Sequence, residues 1–166
     1  MKLNLSLTPF ALMFLALCTS CSPEETEEPV QANYVVEISN ISVDNKLSMA
    51  VLHEVNAHRE SVGLEKLAWK DLPFQLAAQH SNYMAQIGDL DHDNFNERAQ
   101  YLMDQGAQHV SENVAFGYVN AHKVVDGWLN SPDHREAIEG DFNFTGIAVV
   151  ENDEGVPYYT QIFIKQ

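Results

Sequence analysis

The first half of the chain shows apolar residues at helical spacing, separated by polar ones. In the first predicted helix the recurring apolar positions are Leu47, Val51, Val55 and Val62. Gly63 follows as a stop signal. Comparable patterns predict four further helices, at about 72–86, from 93 or 94 to 106, at 121–130 and at 132–138.

Two of these helices carry start signals. Asn94 and Glu97 have the spacing of a capping box, in which the side chains bond the free N–H groups of the first turn. Ser131 is a good N-cap and Pro132 suits the first helical position, which places His134 third. The positive end of a helix dipole disfavours imidazolium, so we expect His134 to stay neutral, with a lone pair free to bind a metal or accept a proton.

The pattern changes towards the C-terminus. Residues 143–150 and 156–166 are rich in β-branched and aromatic residues on both faces, which predicts a hairpin covered on both sides. Residues 113–119 are a candidate third strand, and 34–43 a short strand or an extended arm. Helices followed by strands predict the α+β class, with helices packed around a small, mainly antiparallel sheet.

The N-terminus has the features of an export signal. Residues 1–20 have a short apolar run and small residues before Cys21, which predicts a signal peptide rather than a spanning helix. The sequence "CTSC" resembles the cleavage box of bacterial lipoproteins, although Cys18 stands where leucine is usual. We therefore expect lipidation of Cys21, with secretion of an unlipidated chain as the alternative.

Three segments follow from this pattern: the signal peptide 1–20, a lipidated cysteine with an acidic tether at 21–44, and a folded domain at 45–166. Acidic residues directly behind Cys21 resemble a surface-export signal of some Gram-negative lipoproteins, or are a solvated spacer. We expect an outer-membrane or cell-surface lipoprotein, with a secreted or periplasmic protein as the alternative.

The net charge of the chain limits the classes of partner that it can bind. At pH 7 the chain has a net charge of −15, with 9 basic against 24 acidic residues. Binding of nucleic acid needs clustered Lys and Arg, so we expect no nucleic-acid partner. Anionic lipid is disfavoured for the same reason, and membrane contact should come through the lipid on Cys21.

Seven histidines are the main candidates for chemistry. Four lie among polar neighbours and are predicted to be surface residues: His53, His58, His109 and His122. The other three have distinctive surroundings, His80 in "AAQHSNYMA", His92 in "GDLDHDNF" and His134 in "SPDHREAI", and Glu112 lies between the last two in "SENVAFGY".

These segments resemble the CAP superfamily, the cysteine-rich secretory, antigen 5 and pathogenesis-related-1 proteins, in its bacterial branch. The resemblance covers about residues 46–166 and includes "VVDGWLNSPDHREAI" and "FNFTGIAVV" in the family's order. It implies an α-β-α sandwich. It also implies a cleft in which His92, Glu112 and His134 match three of four family positions, while Ser131 stands where the second glutamate is expected. His80 matches a histidine of the bacterial branch and is expected to face the same cleft.

Two interpretations of the cleft stay open. Two imidazoles and one carboxylate suit weakly bound zinc or another divalent ion, with His92, His134 and Glu112 as ligands. The same residues suit a metal-free, hydrogen-bonded cleft. Catalysis by a nucleophilic serine is disfavoured because no G-x-S-x-G elbow is present and Ser131 is expected to serve as an N-cap.

We therefore expect an envelope-anchored binding or interaction module whose cleft, formed by His80, His92, Glu112 and His134, takes a divalent metal, a lipid or a small ligand. The alternative is a metal-dependent, peptidase-like hydrolase acting on envelope or extracellular substrates. A third possibility is a structural envelope protein. The sequence decides neither whether a reaction is catalysed nor which protein partners exist.

Overall fold

A four-stranded sheet forms the centre of the protein, as seen in a computed structural model that describes residues 35–166. Its strands are β1 (Ala68–Trp69), β2 (His109–Phe116), β3 (Phe144–Glu151) and β4 (Pro157–Lys165). Their order is β1-β3-β4-β2. The predicted hairpin is confirmed as the antiparallel pair β3–β4, and β2 pairs antiparallel with β4, while β1 adds a short parallel edge.

Five helices within residues 35–166 cover this sheet. They are α1 (Asn45–Ser61), α2 (Asp71–Ile87), α3 (Phe95–Asp104), α4 (Ala121–Leu129) and α5 (Pro132–Glu139). All five lie where the hydrophobic pattern predicts them. Val62 departs from that pattern, because it follows the end of α1 and is half exposed.

The helices form two layers. One core cluster joins α1, α4 and α5 to one face of the sheet, through residues such as Val55, Trp128 and Phe163. A second cluster joins α2 and α3 to the other face, with Leu76, Leu102 and Ile162. Both faces of β3 and β4 are consequently buried, as their continuous apolar runs predict. The result is the expected α-β-α sandwich of the α+β class.

Gly146 sets the closeness of α2 to the sheet. A Cβ atom at this position of β3 would overlap the backbone of α2, including Phe74 Cα at 2.5 Å. Only a residue without a side chain permits this approach, so Gly146 fixes how deeply α2 packs on β3 and β4.

Two capping predictions are wrong in their detail. Asn94 does precede α3, but its φ of 57° is left-handed and its side chain makes no capping hydrogen bond. An N-cap side chain needs an extended backbone to reach the first-turn amides, so no capping box forms with Glu97. Ser131 has that extended backbone at the start of α5, yet its side chain makes no capping hydrogen bond either.

The buried Arg59 connects α1 to the end of α5 and to the segment before β3. Its guanidinium donates hydrogen bonds to four backbone carbonyl oxygens, those of Glu65, Ile138, Gly140 and Phe142. Burial lowers the pKa of Arg59 from its usual value, and nearby Asp141 partly offsets this effect. One side chain thus holds three segments of the chain together.

Residues 35–43 form an extended arm rather than a strand. Val36 and Ile38 pack against the α2 side of the core, and Val43 makes a single bridge to Val150 of β3. The compact unit consequently spans Tyr34–Gln166, which starts ahead of the predicted boundary at residue 45. The predicted signal peptide, Cys21 and most of the predicted tether lie outside the described residues.

Candidate functional site

Glu112 lies on β2, which is an edge strand of the sheet formed by residues 35–166. It pairs with Ile162 of β4 and faces the α2 and α3 layer, where its side chain is only 1% exposed. A buried carboxylate is costly unless its oxygens accept hydrogen bonds, so the groups around Glu112 define the chemistry of the site.

Arg98 is the main partner of Glu112. From α3, its guanidinium donates to both carboxylate oxygens, with Nε at 3.0 Å from Oε2 and Nη2 at 2.9 Å from Oε1. Its third nitrogen, Nη1, donates to the carbonyl oxygen of Asp93 at 2.6 Å. This is the paired, planar geometry in which arginine binds carboxylates most strongly.

His92 is the second partner of Glu112. Its Nδ1 lies 3.0 Å from Oε1 of Glu112 and donates to it, since an ionised carboxylate only accepts hydrogen bonds. The other ring nitrogen of His92, Nε2, takes no part in this contact, and the side chain is 51% exposed. Burial alone would raise the pKa of Glu112, but His92 and Arg98 outweigh it and hold the pKa below its usual range.

His80 forms the inner wall of the site, from α2. Its Nε2 donates to the carbonyl oxygen of Asp91 at 3.0 Å and lies 3.9 Å from Oε1 of Glu112. Burial and the nearby charge of Arg98 lower the pKa of His80, so its ring is neutral near pH 7. His80 thus fixes the loop before α3 on which His92 stands.

His134 approaches the same sheet edge from the other layer. Asn113, which follows Glu112 and therefore faces the opposite side of β2, donates through Nδ2 to the carbonyl oxygen of His134 at 3.0 Å. Burial and the charge of His92 lower the pKa of His134. The expected neutral state is supported, although by burial and His92 rather than by the helix dipole.

The donor set does not fit a divalent ion. Both oxygens of Glu112 accept from Arg98, and the Nδ1 of His92 is also directed at that carboxylate. Across residues 35–166, no group of three or more His, Cys, Asp and Glu side chains is arranged to hold a metal. Glu112 therefore has the geometry of the second interpretation, a hydrogen-bonded acceptor in a polar cleft, and we derive no reaction through a metal.

The other histidines and serines have structural or surface positions. His53, His109 and His122 are exposed, as predicted. His58 is instead partly buried, with its Nε2 2.8 Å from Oε1 of Glu139. Ser81, next to His80, is buried with its hydroxyl between the Ala148 carbonyl and the Thr160 hydroxyl, which leaves no room for a role as nucleophile.

Sequence reasoning missed Arg98, the residue that decides the chemistry of Glu112. A signal for it exists in the pattern of α3. Phe95, Ala99 and Leu102 mark one helical stripe, and Arg98 falls on the same stripe. A charged residue on a buried stripe needs a partner of opposite charge, and Glu112 is the acidic residue that the fold brings to it.

Comparison with known proteins identifies the class. Residues 52–163 match the model of the CAP family, described as the cysteine-rich secretory protein family. The chain belongs to this family. A membrane protein of Bacillus subtilis, YlbC, whose own function is uncharacterized, is 32% identical over 123 residues, which is 70% of this chain and 34% of YlbC. The chain thus spans about a third of the length of that relative.

Three solved structures share the fold. An outer surface protein of Borrelia burgdorferi superposes with a TM-score of 0.66 at 23% identity, covering 76% of this chain and 98% of its own. An extracellular SCP-domain protein of Bacillus anthracis has a TM-score of 0.64 at 28% identity, over 74% of this chain and 41% of its own. A cysteine-rich secretory protein of Staphylococcus aureus has a TM-score of 0.63 at 15% identity, over 78% and 40%. No helix within residues 35–166 is long and apolar enough to cross a membrane.

Proposed function

We propose that this CAP domain is an extracellular binding module whose polar cleft works without a metal. The observation that carries the proposal is the paired contact of Arg98 with both oxygens of Glu112. It makes the carboxylate a structural acceptor that orients His92. The half-exposed side chain of His92 and the neutral ring of His134 are then the groups left to contact a ligand.

A zinc titration of the purified protein by calorimetry tests this proposal, beside the variants His92→Ala and His134→Ala. We expect no saturable binding that depends on these two histidines, since Arg98 supplies the positive charge at Glu112. His53→Ala, at an exposed position on α1, is the matched control for weak surface binding. One-to-one binding lost in both cleft variants would overturn the proposal and favour the metal-dependent hydrolase.

The same proposal includes the location of the protein. We propose that lipidated Cys21 anchors the domain at the outer membrane or cell surface, with the acidic segment behind it as a tether. An outer surface protein and an extracellular protein among the structural relatives support an exported location. Labelling of cells with a palmitate analogue checks this. We expect label on the wild-type protein and none on Cys21→Ser, and an unlabelled wild-type protein would point to plain secretion.

A further inference from the structure

An apolar groove lies beside the imidazole of His134. Three partly exposed side chains form its walls, Leu90 from the loop after α2, and Phe116 and Tyr118 from the end of β2 and the turn that follows it. Val114 and the buried Trp128 also line it, and the cavity has a volume of about 340 Å³. Such a cavity is large enough for a small organic molecule.

The polar groups of the groove are few and specific. Ser131 and His134 both line it. Ser131 has a hydroxyl that does not cap α5, and His134 is neutral near pH 7 because burial lowers its pKa. A neutral imidazole has one unprotonated nitrogen that accepts a hydrogen bond. The groove therefore offers an acceptor to a ligand that carries a hydroxyl or an N–H group.

The charge of the groove disfavours anions. The residues that line it, as far as the structure describes them, include no lysine or arginine. Arg135, which follows His134, does not line the groove and donates through Nε to the carbonyl oxygen of Leu129 at 2.6 Å. The chain as a whole has a net charge of −15. A carboxylate or phosphate bound here would lose water without gaining a cationic partner, which is unfavourable.

We propose that this groove binds a small uncharged molecule with an apolar body and one hydrogen-bond donor. The body packs between Leu90, Phe116 and Tyr118, and the donor bonds His134. This inference rests on the proposed binding function and names the class of ligand for the groove that adjoins the cleft at His134.

Gly127 of α4 provides a way to alter the groove and leave the polar site intact. A Cβ atom there would lie 2.8 Å from Cζ of Tyr118, so an alanine displaces the Tyr118 ring from its place in the wall. The ring is the free end of a side chain and can move, and alanine is favourable in a helix. The backbone of the Tyr118 turn is held separately, since the hydroxyl of Tyr159 donates to the Tyr118 carbonyl oxygen.

The test uses three probes that share a naphthalene body. 2-Naphthol has a hydroxyl group that can donate a hydrogen bond, 2-methoxynaphthalene has no donor, and 2-naphthoate is an anion. The indole N–H resonance of Trp128 reports binding in NMR spectra of the purified protein, because this N–H donates to the Val114 carbonyl on the groove floor. Trp69, on β1 at the opposite edge of the sheet, is the internal control.

We expect 2-naphthol to shift the Trp128 resonance saturably and to bind at least tenfold more tightly than the other two probes. Gly127→Ala should weaken its binding at least tenfold, and Lys123→Ala, at an exposed position on the same helix, should leave it unchanged. His134→Leu should bring 2-naphthol and 2-methoxynaphthalene to equal affinity. The fold should persist, because Asn113 bonds the backbone of His134 and not its ring.

Three results would overturn the inference: no saturable shift with 2-naphthol, binding of 2-naphthoate as tight as that of 2-naphthol, or unchanged affinity in Gly127→Ala. None of them depends on zinc. If the probes do not bind the groove and zinc does not bind the cleft, this inference is wrong but the proposed metal-free binding module is retained. If zinc binds the cleft, the proposed function itself is wrong.

Discussion

The side chains of Arg98 and Glu112 form a buried ion pair whose two members depend on each other. Both side chains are almost fully buried, at 3% and 1% exposure. Removal of one partner from such a pair leaves an uncompensated charge, while removal of both leaves none. This difference gives the pair a measurable signature.

We expect Arg98→Met to lower the free energy of unfolding by about 3–5 kcal/mol, because Glu112 is left charged and unpaired. The double variant Arg98→Met, Glu112→Leu should be more stable than this single variant. Urea denaturation of the two variants and the wild type measures the difference. A double variant less stable than Arg98→Met would mean that the pair is not a mutually dependent unit.

The buried imidazole of His80 predicts a pH dependence. Its pKa is lowered by burial and then by Arg98, with Glu112 and Asp91 acting in the opposite direction. The folded chain therefore binds this proton less tightly than the unfolded chain. Stability should be full above the ordinary histidine pKa of about 6.5 and should fall as pH decreases below it.

Thermal unfolding between pH 7.5 and 5 checks this dependence. His80→Gln keeps a donor for the Asp91 carbonyl but does not titrate, so its melting temperature should fall less steeply with pH than that of the wild type. His53→Gln, at an exposed position, should follow the wild-type curve. Equal slopes in His80→Gln and the wild type would contradict the assignment.

The motif resemblance names four residues of the cleft but not their hydrogen bonds. The structure brings His80, His92 and Glu112 together and places His134 at the same sheet edge. The role of Glu112 was not predictable from spacing. Whether a carboxylate accepts from a metal or from a guanidinium depends on which helix face approaches it, and that is a property of the tertiary fold.

At the scale of elements, the close contact of α2 with β3 is the most sensitive point. Gly146→Ala places a methyl group against backbone atoms of Pro73 and Phe74 in α2. Unlike a side chain, these backbone atoms cannot rotate out of the way. Overpacking of a core commonly costs about 1–3 kcal/mol, and a clash with backbone belongs at or above the upper end. We expect this variant to melt at a much lower temperature or to fail to fold.

Circular dichroism during heating measures that loss. Gly88→Asn is the matched control, because Gly88 ends α2 in the left-handed region with open space around it, and asparagine tolerates that conformation. A Gly146→Ala protein as stable as Gly88→Asn would mean that α2 can shift away from the sheet at little cost.

The helices and the hairpin were predictable because their signals are local. Periodic apolar residues and stop signals such as Gly63 and Gly88 lie within each segment. The capping of α3 was not predictable from the sequence. Asn94 has a left-handed backbone, and it lies in a loop that Arg98 holds by donating a hydrogen bond to the Asp93 carbonyl oxygen. The contact of Arg98 with the loop before the helix thus stands in place of the predicted capping box at the start of α3.

At the scale of the whole molecule, the arm at 35–43 belongs to the folded unit. It packs apolar side chains on the α2 layer, and the side-chain amide of Gln79 donates to the Val35 carbonyl oxygen at 3.0 Å. For the segment before it, the polar and acidic composition predicts a tether. The sequence leaves the arm open between a short strand and an extended segment, and only its tertiary packing on α2 shows that it belongs to the folded unit.

We expect loss of the arm to destabilise the domain. A chain of residues 44–166 should have a lower free energy of unfolding than one of residues 34–166, by about 2 kcal/mol, as expected for exposing several partly buried aliphatic side chains. Parallel guanidinium denaturation of both chains gives the difference. Equal stabilities would show that the arm rests on the core without contributing to it.

The position of β4 has a consequence for the order of events in the cell. This strand, at residues 157–165, lies between β3 and β2 and pairs with both. Until it has been synthesised, β2 has no partner strand and the sheet cannot assemble. For the exported location proposed above, we expect the chain to stay unfolded while it is threaded through a narrow export channel, and to fold on the far side once β4 has emerged.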